Sequence, residues 1–488
     1  MVALFNYLAL IGAFLSASLV LPALVAFGTN DLENGFTLLI YAAIGSFFSG
    51  AILLATRGRA INLDRIGSIY LAIISWIVFP LILAIPISDL FKIQYVDAIF
   101  EAVSAFTTTA ADGIQNLDAI PPSALFLRSN LQWTGGLATL LTFVLFLGPI
   151  RAGGLPKPRS GSGEAAGRTT SGINRTALGI FRIFLFLTIV CFVLLMLTGI
   201  DAFSALILAS TAVTAGGYLP SSKSLVEITT PLGLIVMSTF FVLASLNIFW
   251  QRMVQKWQIQ NLKHHRESYY IGLTIALLSF AFLVSIVNAS GNLNTDNTAQ
   301  TLSESVFNAT SLVSTSGLQS RPGIFVLLSP LVVFGILLIG GGCYSLAGGI
   351  KFYRIGAMLF HAESELTKLI YPHSVAKPHF GSEAYSIRLM KSIWTMFAAF
   401  MCVMVVGAGA LSITGLSFQA SFTASIAAIT NAGPAYSIDW VPRGTPGWLA
   451  YFEMSQQQKM ILSIIMVFGR LEVIAIIVAL NPTYWLRR

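Results

Sequence analysis

Charge is what this sequence has least of. Only 10% of its 488 residues are Asp, Glu, Lys or Arg, against about 25% in soluble domains. So few charges cannot supply a water-facing surface for a chain of this size, and 56% of the residues are hydrophobic. A polytopic membrane protein is expected. Cysteine is nearly as scarce. Cys191, Cys343 and Cys402 all fall in apolar segments, which argues against a disulfide framework. His264, His265, His361, His373 and His379 lie in polar loops without metal-ligand spacing. No Walker A, HExxH or G-x-S-x-G pattern is present, so soluble-type catalysis and a covalent cofactor have no support. The stretch Met1–Gly28 lacks the basic leading region and A-x-A site of a cleavable signal, and reads as a retained helix.

Long apolar runs are what the sequence has instead. Ten are long enough, at about 20 residues, to span a bilayer: near 5–27, 35–56, 67–88, 124–148, 178–199, 231–250, 269–289, 324–342, 392–413 and 459–480. Four shorter stretches, near 97–107, 203–213, 303–313 and 419–429, cannot cross. Each ends in a polar or glycine-bearing tract and reads as a re-entrant half-helix. The predicted fold class is an all-α polytopic membrane protein with ten transmembrane helices. Four pseudo-fourfold helix–pore-loop–helix repeats surround one pore, preceded by a two-helix hairpin. The expected boundaries are a hairpin at 1–60, repeats at 61–152, 173–260, 261–356 and 357–488, and a cytoplasmic linker at 153–172.

The four tracts are FTTTAADG at 106–113, VTAGGY at 213–218, VSTSGL at 313–318 and ITNAGP at 429–434. Registered on Ala110, Gly217, Gly317 and Gly433, they are spaced by 107, 100 and 116 residues. Three positions earlier each carries a hydroxyl: Thr107, Thr214, Ser314 and Thr430. Six positions earlier lie Ser104, Thr211, Ser311 and Ala427. Such recurrence predicts four copies of one unit around a common axis. Irregular backbone inside a membrane is tolerated only where protein buries it or water reaches it. Four tracts meeting there present rings of carbonyl and hydroxyl oxygens, which can replace the hydration shell of a cation about the size of K⁺. The candidate ion ligands are Thr107, Thr108, Thr109 and Ala110; Thr214, Ala215, Gly216 and Gly217; Ser314, Thr315, Ser316 and Gly317; and Thr430, Asn431, Ala432 and Gly433. Glycine suits the ring because a carbonyl can turn inward at positive φ with little steric cost. Asp112, Asp118 and Asp439 follow the tracts and are expected to concentrate cations at the outer mouth. The alternative, small-residue helix contacts, accounts for the alanines but not for a hydroxyl placed identically four times.

Lys and Arg are distributed unevenly. One set of loops and tails carries 21 of them with six acids, and the opposite set carries five with thirteen acids. The positive-inside rule then places both termini in the cytoplasm. Topology accounts for the basic balance, and nucleic-acid binding is an unnecessary reading. Segment 153–172, rich in Gly, Ser and basic residues, reads as a disordered cytoplasmic tether, with a docking site as the sharper alternative.

Two features suggest a gate. The run GGGCYSLAGG places Gly340, Gly341, Gly342, Gly348 and Gly349 within one apolar segment. Each costs a helix about 1 kcal/mol relative to Ala, so unwound backbone is predicted, facing a pore rather than lipid. A close helix crossing permitted by glycine is the other reading. Arg470 falls in mid-span, where a charge is costly and points to function. Glu472 is a poor partner for it, because i,i+2 residues on a helix do not face each other. Arg128 lies nearer an interface, where snorkelling or a structural pair is expected.

These motifs resemble the Trk/Ktr/HKT superfamily of K⁺ transporters, and within it the bacterial TrkH-type subunit. The resemblance rests on DAIFEAVSAFTTTAADG (97–113), RSNLQWTGGL (128–137), IGGGCYSLAGGIKFYR (339–354), TNAGP (430–434) and FGRLEVIAIIVALNPTYW (468–485). It implies K⁺ as the transported ion, bound at the filter residues named above. It further implies a multi-pass protein of the bacterial cytoplasmic (inner) membrane, a homodimer, and a separate cytosolic nucleotide-binding ring of RCK type. The basic loops 151–182 and 351–391 are the natural docking surface for that ring. By the same resemblance the glycine-rich loop obstructs the cytoplasmic half of the path, and Arg470 impedes cations beneath the filter. The family pattern in the first tract is TTTG, whereas this chain has Ala110. A Cβ at positive φ costs about 1–2 kcal/mol, so that quadrant is expected to be distorted or wider. Two other transport readings share the frame: the K⁺-binding subunit of a P-type ATPase pump, and a less selective Na⁺/K⁺ permease. A membrane-embedded enzyme would need acids, bases or metal ligands within the spans, where only Arg128, Arg470 and Glu472 are charged.

Overall fold

In hydrocarbon a backbone N–H or C=O without an internal partner costs several kcal/mol, so apolar segments coil into helices whatever their intrinsic propensity. The protein is described here by a computed structural model covering residues 2–58, 65–149, 152–156, 170–248, 266–290, 298–371, 379–380, 383–384, 386–442 and 445–471. Its principal helices, in order, are α1 (Val2–Ser18), α2 (Val20–Gly28), α3 (Leu32–Ala55), α4 (Arg65–Phe91), α5 (Tyr95–Phe106) and α6 (Pro122–Leu141). They continue with α7 (Thr170–Leu197), α8 (Ala202–Thr214), α9 (Pro231–Ser245), α10 (Arg266–Ser290), α11 (Thr298–Val313) and α12 (Pro330–Ile339). The last four are α13 (Phe352–Ile370), α14 (Ile387–Ile413), α15 (Phe418–Ile429) and α16 (Gln456–Arg470). Apart from a two-residue antiparallel pairing of His379–Phe380 with Glu383–Ala384, the described structure has no sheet.

Seven helices among the described residues are long and apolar enough to cross a membrane. Their outer faces present large apolar side chains, such as Phe47, Phe186 and Ile413, a surface that only lipid solvates well. The protein is therefore an all-helical integral membrane protein. A long helix, a short helix, a tract and a further helix recur in chain order as α4–α5–α6, α7–α8–α9, α10–α11–α12 and α14–α15–α16.

Three expected spans take a different form. In the run near 231–250 the helix breaks off at Ser245. The run near 324–342 begins as a 3₁₀ turn (Ile324–Leu327), and its α-helix, α12, has ten residues, about 15 Å of rise, too short to cross. The chain unwinds at Gly340 and coils again as α13. The run near 459–480 begins earlier, at Gln456, because Ser455 and Gln458 form a reciprocal capping box; its continuation past Leu471 lies outside the described residues, as do Glu472 and most of the 153–172 linker. The start of that linker is no tether: Gly153, Gly154 and Leu155 are buried, and the Gly153 carbonyl accepts from Arg354 Nε at 2.8 Å.

The four short helices α5, α8, α11 and α15 form the interior. Every residue from Ala98 to Phe106 in α5 is buried, and the C-terminal halves of the other three are equally enclosed. Small side chains (Ala102, Ala209, Ala309, Ala427) let their backbones approach closely. Asp201 and Ser417 cap two of them by accepting from Ser204 N–H (2.9 Å) and Ala420 N–H (3.3 Å), satisfying donors that would otherwise be orphaned.

Candidate functional site

Each of the four interior helices ends in the same way. The residue after its last turn has left-handed backbone: Thr108 (φ 57°), Ala215 (52°), Thr315 (57°) and Asn431 (55°). The following N–H reaches back to the carbonyl five residues earlier, from Thr109 to Ser104 (2.9 Å), Gly216 to Thr211 (3.0 Å), Ser316 to Ser311 (3.0 Å) and Ala432 to Ala427 (2.8 Å). This is a Schellman termination, made here four times without glycine, although non-glycine residues seldom adopt positive φ. The repeated hydroxyls belong to the same device. Thr107 donates to Val103 O (2.7 Å), Thr214 to Ser210 O (2.7 Å), Ser314 to Ser311 O (3.2 Å) and Thr430 to Ile426 O (2.8 Å). Ser104, Thr211 and Ser311 then hold the carbonyls of Ala111, Tyr218 and Leu318 at 2.9, 2.8 and 2.6 Å. Ala427 cannot do so, and Tyr451 donates to Gly433 O at 3.1 Å in the fourth tract.

The expectation of positive φ at all four register positions needs correction. Ala110 (54°) and Gly317 (68°) are left-handed, but Gly217 and Gly433 are not. Those two glycines are required by space. A Cβ on Gly433 would lie 2.5 Å from Ala111 N and 2.6 Å from Thr109 O, and one on Gly217 would overlap Pro434. The backbone is thus fourfold two residues before the register position and twofold at it.

The tracts meet. Gly433 N–H donates to Thr109 O at 2.8 Å, and Asn431 Nδ2 to Thr109 Oγ1 at 2.9 Å. The Ser316 hydroxyl donates to Gly216 O. Gly317 packs on the fourth tract, where an added Cβ would stand 2.8 Å from Ala435 N. All sixteen residues singled out from the sequence are brought together and buried. Gly433→Ser and Gly317→Ser are expected to leave the protein folded and to reduce discrimination between K⁺ and Na⁺, the first by displacing Thr109 O and the second by strain of about 1–2 kcal/mol. Unchanged K⁺/Na⁺ flux ratios in both variants would remove these residues from any ion path.

Beneath the tracts lies the glycine-rich loop. Residues 340–348 are buried throughout. Gly348 N–H donates to Thr315 Oγ1 at 2.6 Å, and its Cα faces the Thr430 carbonyl so closely that a Cβ there would overlap it. The loop is also tied to the truncated α9, through Gly342 N–H to Ser245 O (2.8 Å) and Leu346 N–H to Ala244 O (3.0 Å). Arg470 joins three elements. Its Nη2 donates to Thr108 Oγ1 (2.7 Å), its Nε to Thr139 Oγ1 (2.9 Å) and its Nη1 to Leu346 O (2.7 Å). All three partners are neutral, and no carboxylate among the described residues pairs with this guanidinium. A fixed positive charge therefore faces the underside of the first tract.

Sequence reasoning missed Glu267, which it did not single out among the acids of the loops. Its Oε1 accepts from Cys343 N–H (2.8 Å) and Tyr353 N–H (3.2 Å), and so latches both ends of the loop. No local pattern reveals it, because its partners are 76 and 86 residues away. Glu267→Gln is expected to weaken the latch by about 1–2 kcal/mol. Hydrogen exchange at Cys343 and Tyr353 should then accelerate about tenfold, and equal rates in both proteins would show that the carboxylate holds nothing.

Above the tracts a vestibule of about 370 Å³ is lined by Ala110, Asp112, Gly217, Leu318, Pro434 and Tyr436 among others. Of the three acids expected at the mouth, only Asp112 lines it. Asp118 and Asp439 instead serve local structure, accepting from Ser222 N–H (3.3 Å) and the Ser437 hydroxyl (2.6 Å). Arg128 does not snorkel. It is 2% exposed, pairs with Glu101 (3.4 Å) and Asp112 (3.1 Å), and lies 4.0 Å from the Tyr218 ring centroid. Glu101 in turn accepts from Gly113 N–H at 2.7 Å. This structural pair stiffens the exit of the first tract.

Comparison with known proteins gives a consistent result. The family model described as TrkH, cation transport protein, matches residues 38–485. The Trk system potassium uptake protein TrkH of Salmonella typhimurium is 26% identical over 487 residues, covering 96% of both chains. That of Vibrio parahaemolyticus is 27% identical, with 97% of both covered. The crystal structure of the potassium transporter TrkH from Vibrio parahaemolyticus superposes with a TM-score of 0.86, 24% identity and 99% coverage of each chain.

Proposed function

The chain belongs to the TrkH family of cation transport proteins, and we propose that it carries K⁺ into the cell across the bacterial cytoplasmic membrane. The observation that carries this reading is the convergence of four tracts above an unwound loop and a buried arginine that has no carboxylate partner among the described residues. Carbonyls and hydroxyls of the four tracts replace the hydration of a K⁺ entering from the vestibule. Asp112 supplies local negative potential there, reduced by its pairing with Arg128. Below the tracts the ion meets Arg470 and the loop 340–349, which together close the path.

Opening requires the loop to leave. That movement breaks the Leu346–Arg470, Gly348–Thr315 and Glu267 bonds, at about 1–3 kcal/mol each, so the closed arrangement predominates until something favours the open one. Both termini face the cytoplasm by the distribution of Lys and Arg. The protein works as a homodimer, and a separate RCK-type nucleotide-binding ring on the basic loops 151–182 and 351–391 supplies the bias. The four repeats are assigned here as 61–152, 173–260, 261–356 and 357–488, with α7 starting just before the second and α13 running across the last bound.

Flux of K⁺, Rb⁺, Na⁺ and Li⁺ in turn, in liposomes holding the purified protein, tests the reading. Passive K⁺ and Rb⁺ flux exceeding that of Na⁺ and Li⁺ supports it. Equal flux of all four would favour the less selective permease. Strict dependence on a co-purifying P-type ATPase would favour the pump subunit.

A further inference from the structure

On the lipid-facing side of the first tract lies a cavity of about 580 Å³ that none of the proposed transport steps uses. It falls within the usual range of ligand sites. Its walls come from α1, α4, α6, α7 and the end of α5, and they are almost wholly apolar. Two of its hydroxyls are spent internally, Ser75 on Leu71 O (2.6 Å) and Thr134 on Leu131 O (3.0 Å). Thr142 places a further hydroxyl in the wall, and that of Tyr7 is buried and has no hydrogen-bond partner among the described residues, in a residue only 7% exposed. An almost wholly apolar cavity with a buried, unpartnered hydroxyl at its edge suits a long hydrocarbon tail with a polar group near its end, and water has too few partners there.

The surroundings indicate which such molecule. Tyr7 stands five residues into α1, about 8 Å along its axis. The expected topology makes that the cytoplasmic end, at the depth where chain meets headgroup. Arg175, exposed on the first turns of α7, lies three residues before the lining residue Leu178 and so on the same face of the helix. Segments 57–67 and 151–182 on that side are rich in Lys and Arg, which draws anionic lipid.

The cavity also touches both parts of the ion path from behind. Phe106, the last residue of α5, forms its inner wall against Trp76, with ring centroids 4.8 Å apart, and directly precedes Thr107–Ala110. Beyond α6 the helix widens into a π turn over Thr142–Leu147, a feature frequent at functional sites. Leu145 and Phe146 of that turn line the cavity. Phe143 lies 5.6 Å from the Lys351 ammonium at the end of the glycine-rich loop, and Gly148 abuts the Tyr344 side chain within it.

We infer that this cavity binds one acyl chain of an anionic phospholipid from the cytoplasm-facing leaflet, and that the bound lipid holds the path closed. A glycerol-ester carbonyl accepts from the Tyr7 hydroxyl, the phosphate lies by Arg175, and the chain runs inward to Phe106 and the π turn. The π-turn segment that walls the cavity abuts the loop at Lys351 and Tyr344, so occupancy favours the arrangement with the loop in place to the extent that the loop's departure disturbs that wall. The effect on flux rests on the transport reading above, whereas binding does not.

The test uses the full-length protein in phosphatidylcholine vesicles with increasing phosphatidylglycerol, together with native mass spectrometry of retained lipid. Wild type should retain phosphatidylglycerol, and its K⁺ flux should fall severalfold as that lipid is added. Ala138→Trp fills the cavity and should abolish both effects; Ala177→Trp replaces it if the first fails to fold. Tyr7→Phe should bind about fivefold more weakly. Equal retention by wild type and both filled variants overturns the site. Displacement of phosphatidylglycerol by free palmitate at equal concentration overturns the phospholipid assignment. Lipid-independent K⁺ flux with retention intact overturns the closing role. Retention without flux of any cation upholds the site and refutes the transport reading instead.

Discussion

Arg470→Gln is expected to raise K⁺ flux through the purified protein by about two orders of magnitude. A unit charge about 6 Å from a passing cation, at an effective dielectric of about 20, repels it by about 3 kcal/mol, and each 1.4 kcal/mol is tenfold. The guanidinium has no carboxylate among the described residues to cancel that field, and its three acceptors are the neutral oxygens of Thr108, Thr139 and Leu346. Gln retains a donor for Thr108 or Leu346 but carries no charge. Arg470→Lys separates the two roles, because it keeps the charge and loses the planar fork that joins three elements at once. If repulsion dominates, Lys conducts as slowly as wild type and Gln is fast. Should both variants be equally fast, the arginine acts as a clamp on the loop. Flux unchanged in Gln would place the ion path elsewhere.

The helical architecture was legible because the bilayer leaves few choices. Runs of about 20 apolar residues read as crossing helices and runs of about ten as turning back. Both readings came from length alone. Seven described helices are long and apolar enough to cross, while the runs near 231–250 and 324–342 break short. The identity of the tracts was legible because their pattern recurs at fixed positions, and the structure brings those positions together. What the pattern did not carry was the reason for it. Glycine at a register position was read as a demand for positive φ, yet Gly217 and Gly433 are there because Pro434, Ala111 and Thr109 leave no room for a side chain. The residues in left-handed backbone in all four tracts are two threonines, an alanine and an asparagine, Thr108, Thr315, Ala215 and Asn431, with no glycine among them. Their conformation is imposed by the Schellman bonds behind them, which a residue-by-residue reading cannot see.

Long-range partners were equally opaque. Arg128 looked like an interfacial cation until Glu101, Asp112 and Tyr218 enclosed it from other segments. The breaks in α9 and in the α12–α13 segment depend on each other, since N–H groups of the loop after Gly340 donate to the Ser245 and Ala244 carbonyls. Five glycines announced one break. Nothing in the stretch after Ser245 announced the other.

Ala110→Gly is expected to raise the K⁺/Na⁺ permeability ratio by up to about tenfold. The native residue holds φ 54°, a conformation that costs a non-glycine residue about 1–2 kcal/mol. Its counterpart Gly317 holds φ 68° without that cost. The first quadrant is therefore kept in place by its surroundings, namely the Ser104 bonds to Thr109 N–H and Ala111 O and the Gly433 N–H on Thr109 O. Strain of this kind disposes Ala110 to shift its carbonyl outward, which penalises the ion that needs the closest fit. Glycine removes the strain. It also removes a methyl that faces Gly217, where a Cβ would stand 3.3 Å away, at about 0.8 kcal/mol of lost burial. That second loss is common to every permeant ion and cancels from the ratio, whereas the relaxed carbonyl does not. If 1.4 kcal/mol of strain passes wholly into differential binding, the ratio rises tenfold. Reversal potentials in matched K⁺ and Na⁺ gradients measure it directly. An unchanged ratio would mean that the Schellman bonds absorb the strain without moving the carbonyl. A lower ratio would mean that the methyl, by filling space against Gly217, is what keeps this quadrant narrow.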